Sequence, residues 1–116
     1  MTDKNNALHS QQCSSPSADS TALRQDETAE FLQQLNPPWQ LNSEEQTIAY
    51  TYIFKDYYQT MAFVNVIAQI AHQQDHHPDL LVSYNRCTVT YSTHSVDGLS
   101  INDFICAAKI NASHKL

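Results

Sequence analysis

The chain has 116 residues, enough for one small domain with a modest hydrophobic core. Twelve acidic and six basic side chains give a net charge of -6, which disfavours direct binding to nucleic acid or to an anionic membrane surface. The three cysteines are far apart and form no Cys-x-x-Cys pair, so the sequence favours a reducing, cytoplasmic location over a disulfide framework or a cysteine zinc site.

The N-terminal segment is polar and rich in Ser, Gln and Asn. This composition offers little apolar surface to bury, so residues 1–25 are predicted to form a disordered tail before a folded domain at residues 26–116. The segment lacks the uninterrupted apolar region of a secretory signal. No apolar run in the chain is long enough to span a bilayer, so no membrane association is expected.

The folded region is predicted to begin with a short helix and a β-hairpin. The stretch DETAEFLQQL has acids in its first turn and spaces Phe31 and Leu35 four residues apart, as an amphipathic helix does. After two prolines, WQL and TIAYTYIF have the alternation of two strands, and the segment NSEEQ between them is predicted to be a turn. One side of the second strand would carry four apolar residues: Ile48, Tyr50, Tyr52 and Phe54.

The central helix is predicted from KDYYQTMAFVNVIAQIAHQQ, which contains no Gly or Pro and repeats apolar residues at helical spacing. Pro78 disfavours helical geometry at His77, so this helix should end near Asp75 or His76. The motif DHHPD, residues 75–79, would then lie at the C-terminus of the helix.

Two further strands, LLVSYN and RCTVTYST, and a last helix in GLSINDFICAAKI complete the pattern. Ser100 and Asp103 have the spacing of a capping box at the start of that helix, although Asp replaces the usual Glu or Gln. The predicted order is αββαββα. This order favours an α+β fold in which a four-stranded antiparallel sheet carries three helices on one face.

Four of the six histidines lie in one short part of the chain: His72, His76, His77 and His94. An imidazole exchanges protons near neutral pH, so such a cluster is a candidate site. On a helix His72 and His76 would share a face. The loop that carries His94 could return to the end of the central helix, so three imidazoles would meet in one cleft.

Structural interpretations compete with this one. A histidine at a helix C-terminus favours the helix dipole, and Asp103 is better explained as a helix cap than as a catalytic acid. Trp39 and Tyr84 are better explained as structural aromatics than as ligand contacts. A zinc site is a weaker alternative, because Gln73 stands where an HExxH motif has its glutamate.

The run HQQDHHPDLLVSYNRCTVTYSTHSVDGLSIND resembles the pterin-4a-carbinolamine dehydratases. The signature of that family has Glu, Asp, Lys or His, three residues, His-His-Pro, then an aromatic residue, a later His and an Asp at set distances. Here those positions are His72, His76, His77, Pro78, Tyr84, His94 and Asp103. The similarity extends upstream through FKDY to Trp39 and covers about residues 26–112.

The resemblance implies the fold predicted above and an activity. Family members remove water from 4a-hydroxytetrahydropterin to give quinonoid dihydropterin, in the regeneration of tetrahydrobiopterin, and need no metal or other cofactor. They form homodimers or homotetramers. The alternative that the resemblance also implies is a non-catalytic binding or assembly module, such as a transcriptional coactivator.

Carried over by position, His76 and His94 would be the acid and base groups, and His77 would orient the pterin. The expected substrate contacts also include Asp75, Trp39, Ser92 and Thr93. Two positions depart from many relatives, which have Glu in place of His72 and Trp in place of Leu80. A histidine in place of the acid is expected to lower the proton affinity of the cluster.

Overall fold

The computed structural model describes residues 7–114, and within them the predicted α+β order is confirmed. The elements are α1 (Gln25–Gln33), β1 (Gln40–Asn42), β2 (Thr47–Ile53), α2 (Tyr57–Gln74), β3 (Asp79–Val82), β4 (Arg86–Tyr91) and α3 (Ile101–His114). Single 3₁₀ turns are found at Leu8–Ser10 and His94–Val96.

The four strands form one antiparallel sheet in the order β1-β2-β4-β3, so β2 and β4 are its central strands. Alternation along β4 is strict: Cys87, Val89 and Tyr91 are buried, and the threonines between them are only partly covered. The apolar residues predicted to share one side of β2, from Ile48 to Tyr52, pair with this apolar row of β4. The helices cover this face of the sheet, as predicted.

The core lies between that sheet face and the helices. On α2 the buried apolar side chains are Phe63, Ile67 and Ile70, three or four residues apart, as the helical period requires. On α3 they include Phe104 and Ile110. Burying a side chain of this size contributes about 1.5–3 kcal/mol, so a few such residues on each helix fix it to the sheet. Within the described residues, no helix is both long and apolar enough to cross a membrane.

Residues 7–24 pack in part against the domain, whereas composition predicts a disordered tail through residue 25. Leu8 is 4% exposed and belongs to the core, and the Lys109 ammonium donates to the backbone oxygen of His9 at 3.0 Å. Composition predicts disorder from an average over the whole segment. A few specific contacts are enough to hold a polar segment against the domain, and such an average does not show them. Residues 1–6 of the predicted tail and residues 115–116 of the predicted domain lie outside the described residues.

Asn111 on α3 binds the segment that leads into β1 and a tyrosine of β2. Its side-chain oxygen accepts from the Trp39 indole N–H at 3.0 Å and from the Tyr52 hydroxyl, and its amide nitrogen donates to the Pro37 oxygen at 3.0 Å. All of these groups sit at or near the core, and Asn111 itself is 3% exposed. The buried polar groups in this part of the fold therefore depend on the Asn111 amide for their hydrogen bonds.

We expect Asn111→Ala to lower the free energy of unfolding by about 2–4 kcal/mol, because it leaves buried donors without an acceptor. Urea denaturation followed by circular dichroism measures this loss. Asn65→Ala, at an exposed position on α2, is the control and should change stability by less than about 0.5 kcal/mol. Similar stability of the two variants would contradict the assigned role.

Candidate active site

A cavity of about 470 Å³ opens beside the C-terminal end of α2. Four parts of the chain supply its walls: residues 73–77, residues 92–95, residues 13–16 and Asn102 of α3, with Asp79 and Thr90 adding to the sheet side. The three histidines predicted to meet do so here, since His76, His77 and His94 all line this cavity.

The end of α2 places the first two histidines. Asp75 follows the last helical residue with φ 52° and ψ 44°, in the left-handed region that Asp tolerates better than most residues. The His76 N–H donates to the Ala71 oxygen at 3.1 Å and the Asp75 N–H to the His72 oxygen at 3.3 Å, the two bonds of a Schellman cap. The predicted helix end near Asp75 is confirmed, and the chain turns out of the helix at the DHHPD motif.

The loop after β4 places the third histidine, His94, at the same cavity. The Thr93 N–H donates to the Gly98 oxygen at 2.8 Å and closes a short loop, in which His94 begins a 3₁₀ turn. Gly98 is buried at the base of this loop, and a Cβ added there would lie 2.8 Å from the Ala22 Cβ. The position therefore requires glycine, because any larger residue would push the loop away from its packing. His94 itself is exposed at the rim of the cavity.

His76 is held by a buried carboxylate. Its Nε2 lies 2.6 Å from Oδ1 of Asp103, which is completely buried. The other carboxylate oxygen accepts from the Ser100 N–H at 3.0 Å and from the Thr93 hydroxyl at 2.8 Å. Asp103 is therefore the helix cap that the spacing indicates and also the partner of a site histidine. The imidazole in addition stacks on Tyr91, with ring centroids 5.1 Å apart and 20° between the ring planes.

The surroundings of His76 favour its charged form. Burial lowers the pKa of this imidazole, but the hydrogen bond and the charge of Asp103, with smaller contributions from Cys106 and Asp75, outweigh burial and raise the pKa above its usual value. The substitution at His72 was expected to lower the proton affinity of the cluster. In the structure His72 is exposed and does not line the cavity, whereas Asp103 is bound to His76 and raises its pKa against the effect of burial.

The other predicted site residues divide into two groups. Asp75, Ser92 and Thr93 line the cavity. The following do not: Trp39, His72, Pro78 and Tyr84.

The residues of the second group have structural positions. The Trp39 indole is 4% exposed and its N–H is bound to Asn111, so it belongs to the core. Tyr84 is 63% exposed near the turn between β3 and β4, where its backbone oxygen accepts from the Thr60 hydroxyl at 3.0 Å. Leu80 is half-buried on β3 and packs against the core.

Sequence reasoning missed one wall of the cavity. It consists of residues 13–16, which belong to a polar stretch whose composition predicts disorder, together with Asn102. Asn102 directly precedes the recognised Asp103, and this adjacency is the one signal that could have suggested it. Among residues 7–114, no three His, Cys, Asp or Glu side chains are grouped as metal ligands.

Comparisons of this chain with known proteins agree on one family. A family model described as pterin 4 alpha carbinolamine dehydratase matches residues 21–113. A relative from Nitrosomonas eutropha is 55% identical over 89 residues, which is 77% of each chain. A relative from Stenotrophomonas maltophilia is 60% identical over 84 residues, which is 72% of each chain. Both are named as pterin-4-alpha-carbinolamine dehydratases on a provisional basis.

Two solved structures have the same fold. The crystal structure of a transcriptional coactivator/pterin dehydratase from Brucella melitensis has a TM-score of 0.75 and 35% identity, and covers 79% of this chain and 97% of its own. A pterin dehydratase-like protein described as a RuBisCO assembly factor in the alpha-carboxysome has a TM-score of 0.56 and 19% identity, and covers 64% of this chain and 86% of its own. The second likeness concerns the fold alone. The chain belongs to the pterin-4a-carbinolamine dehydratase family.

Proposed function

We propose that the protein is a 4a-hydroxytetrahydrobiopterin dehydratase, which removes water from 4a-hydroxytetrahydropterin in the regeneration of tetrahydrobiopterin. The observation that carries this proposal is the meeting of His76, His77 and His94 in one polar cavity of a chain from this family. The cavity volume of about 470 Å³ is within the usual range for small-molecule sites. A bicyclic pterin is a ligand of suitable size for such a site.

Dehydration of a carbinolamine needs two proton transfers. The bond from C4a to the hydroxyl oxygen breaks as that oxygen receives a proton and leaves as water, and the proton on N5 is removed as the C4a=N5 double bond forms. Groups that exchange protons near neutral pH can perform both transfers, each contributing about 10²- to 10⁴-fold in rate. Imidazoles are the side chains best suited to this work.

The two transfers are assigned to His76 and His94. His76 is the proposed acid, because the raised pKa keeps its proton available for the leaving hydroxyl. Its Nε2 is bound to Asp103, so Nδ1 is the nitrogen that would exchange a proton with the substrate. His94, exposed at the rim, is the proposed base that takes the N5 proton.

The remaining cavity residues would bind and orient the substrate. A pterin ring carries hydrogen-bond donors and acceptors along its edges, and the cavity offers matching groups from His77, Asp75, Ser92 and Thr93. These residues come from the two loops that also carry the proposed acid and base. Binding the ring would therefore also place its C4a and N5 between them.

The alternative is a binding or assembly module on the same fold. The description of the Brucella melitensis protein as a transcriptional coactivator/pterin dehydratase is the observation that favours it. A scaffold has no need of three histidines converging on a cavity or of a buried carboxylate that holds one of them. We therefore place the enzyme first.

The proposal is tested by following the disappearance of 4a-hydroxytetrahydropterin with and without the purified protein. Because this dehydration also proceeds unaided, the expected result is a rate above the spontaneous one that rises in proportion to protein concentration. A folded protein that leaves the spontaneous rate unchanged would rule the enzyme out in favour of the binding module. Equilibrium binding of a stable pterin to the same sample then shows whether that module still takes a pterin.

We also propose that the protein works in the cytoplasm as a homodimer or homotetramer. The edge strands β1 and β3 leave unpaired backbone groups within the described chain, and Leu81 on β3 is 74% exposed. Both features favour self-association. Sedimentation equilibrium distinguishes a dimer from a tetramer, and a monomer at micromolar concentration would contradict the proposal.

A further inference from the structure

Residues 12–16 are named here the N-terminal strap, and residues 13–16 of it form one wall of the candidate active site. Side chains of the two long helices hold the strap: the Gln74 side-chain oxygen accepts from the Cys13 N–H at 2.8 Å, and the Asn102 amide exchanges two bonds with the Ser14 backbone, at 3.2 and 2.8 Å. Gln74 also donates to the Gln12 side chain at 2.8 Å. The strap is thus attached by polar contacts, which water can replace.

Two thiols meet beneath the strap. The sulfur of Cys13 lies 3.6 Å from the sulfur of Cys106, a residue of α3 that is completely buried. Cys13 is half-buried, so a small oxidant can reach it. The remaining cysteine, Cys87, is buried on β4 and lies opposite Tyr52 in the sheet register.

We propose that Cys13 and Cys106 are a redox-sensitive pair whose reversible disulfide fastens the N-terminal strap to α3 across one wall of the candidate active site. The oxidant is a peroxide. The existence of this modification site does not depend on the proposed function, whereas its effect on pterin turnover rests on that function. Transient disulfides of this kind are compatible with a reducing compartment.

The environment of the two sulfurs assigns their roles. The hydrogen bond from Cys106 lowers the pKa of Cys13, against burial, and the charge of Lys109 acts in the same direction. The same hydrogen bond, together with burial, raises the pKa of Cys106. Because Cys13 is also the half-buried sulfur and Cys106 is completely buried, Cys13 is the thiol that reacts first and Cys106 the thiol that resolves the product.

The reaction is balanced in two steps. The Cys13 thiolate attacks one peroxide oxygen, the O–O bond breaks, and the released hydroxide takes up a proton to leave as water, which gives a sulfenic acid. The Cys106 sulfur then attacks the Cys13 sulfur, the S–O bond breaks and the Cys106 proton leaves with the oxygen as a second water. The sulfurs must close from 3.6 Å to about 2.05 Å, a movement that the non-helical strap can absorb.

The test begins with reduced, full-length protein treated with hydrogen peroxide and digested under non-reducing conditions. We expect the free thiols to fall from three to one, a peptide linking Cys13 to Cys106, and full reversal by dithiothreitol. Cys13→Ser should yield no linked peptide. Cys87→Ala, the matched control, should still yield it. A linkage through Cys87, or sulfinic acid at Cys13 with Cys106 still free, would overturn the proposal.

Hydrogen exchange tests whether the disulfide fastens the strap. Local opening of the strap should become at least about tenfold rarer in the oxidised protein, because the cross-link opposes it, and the amides of residues 12–15, which carry the N–H groups of the strap, should exchange more slowly by that factor. Equal exchange in the reduced and cross-linked forms would contradict the fastening. Dehydratase turnover of the same two forms should differ and be restored by dithiothreitol. The peptide map and the exchange rates remain decisive even for a protein that shows no turnover.

Discussion

Replacing both His76 and His94 by alanine is expected to abolish enzyme-dependent dehydration of the carbinolamine and leave the spontaneous rate alone. Each lost proton transfer should cost about 10²- to 10⁴-fold in kcat, because an alanine can neither supply nor remove a proton. The measurement is the turnover of 4a-hydroxytetrahydropterin by each single variant and by the double variant. A double variant that is folded and fully active would end the proposed mechanism.

Folding must be separated from catalysis for His76, because His76→Ala removes the partner of a buried carboxylate. His76→Gln is the sharper variant, since its amide can still donate to Asp103 but cannot exchange a proton. We expect His76→Gln to be nearly as inactive as His76→Ala while remaining closer to the parent in stability. His9→Ala, at an exposed histidine outside the cavity, is the matched control and should retain full activity.

Asp103→Asn is expected to weaken the protein mainly at acid pH. In the folded state the pKa of His76 is raised, so the protonated imidazole bound to Asp103 stabilises the fold. This contribution is fully present below the ordinary histidine pKa of about 6.5 and is lost as pH rises through the raised folded-state pKa. A hydrogen bond between charged groups is worth about 1.5–3 kcal/mol, which sets the expected loss at low pH.

The asparagine keeps the cap of α3, since its side-chain oxygen can still accept from the Ser100 N–H. Urea denaturation at about pH 5.5 and about pH 8.5 should therefore show a larger loss for Asp103→Asn at the lower value. Asp79→Asn, at an exposed carboxylate on the cavity wall, is the control and should show no such difference. Equal losses at both pH values would mean that Asp103 acts only as a cap.

The same variant should move the pH dependence of turnover. Without the charge of Asp103, burial becomes the dominant influence on His76 and lowers its pKa. The limb of the rate profile that reports loss of the His76 proton should then shift to lower pH. An unchanged limb would show that another group is the catalytic acid.

Features that depend on local sequence were determined by the sequence alone. The order of helices and strands follows from apolar periodicity, and an end of α2 near Asp75 could be expected because Pro78 disfavours helical geometry at His77. Convergence of His76, His77 and His94 could be expected because two short loops, each set by its neighbouring element, carry all three. The order of the elements and the helix end are constraints over a few residues, whereas the meeting of His94 with the other two also requires β4 to pack beside the end of α2, where the Tyr91 hydroxyl donates to the His76 oxygen at 3.2 Å.

Tertiary packing decided which residues far apart in the sequence come into contact. Asp103 reaches His76 across 27 residues and Cys13 reaches Cys106 across 93, and no periodicity or spacing rule encodes distances of that kind. The same packing gave Trp39 a core partner, Asn111, and so kept its ring out of the cavity. Which polar groups become neighbours depends on how the helices sit on the sheet, and only the folded chain brings the strap, the end of α2 and the start of α3 to one site.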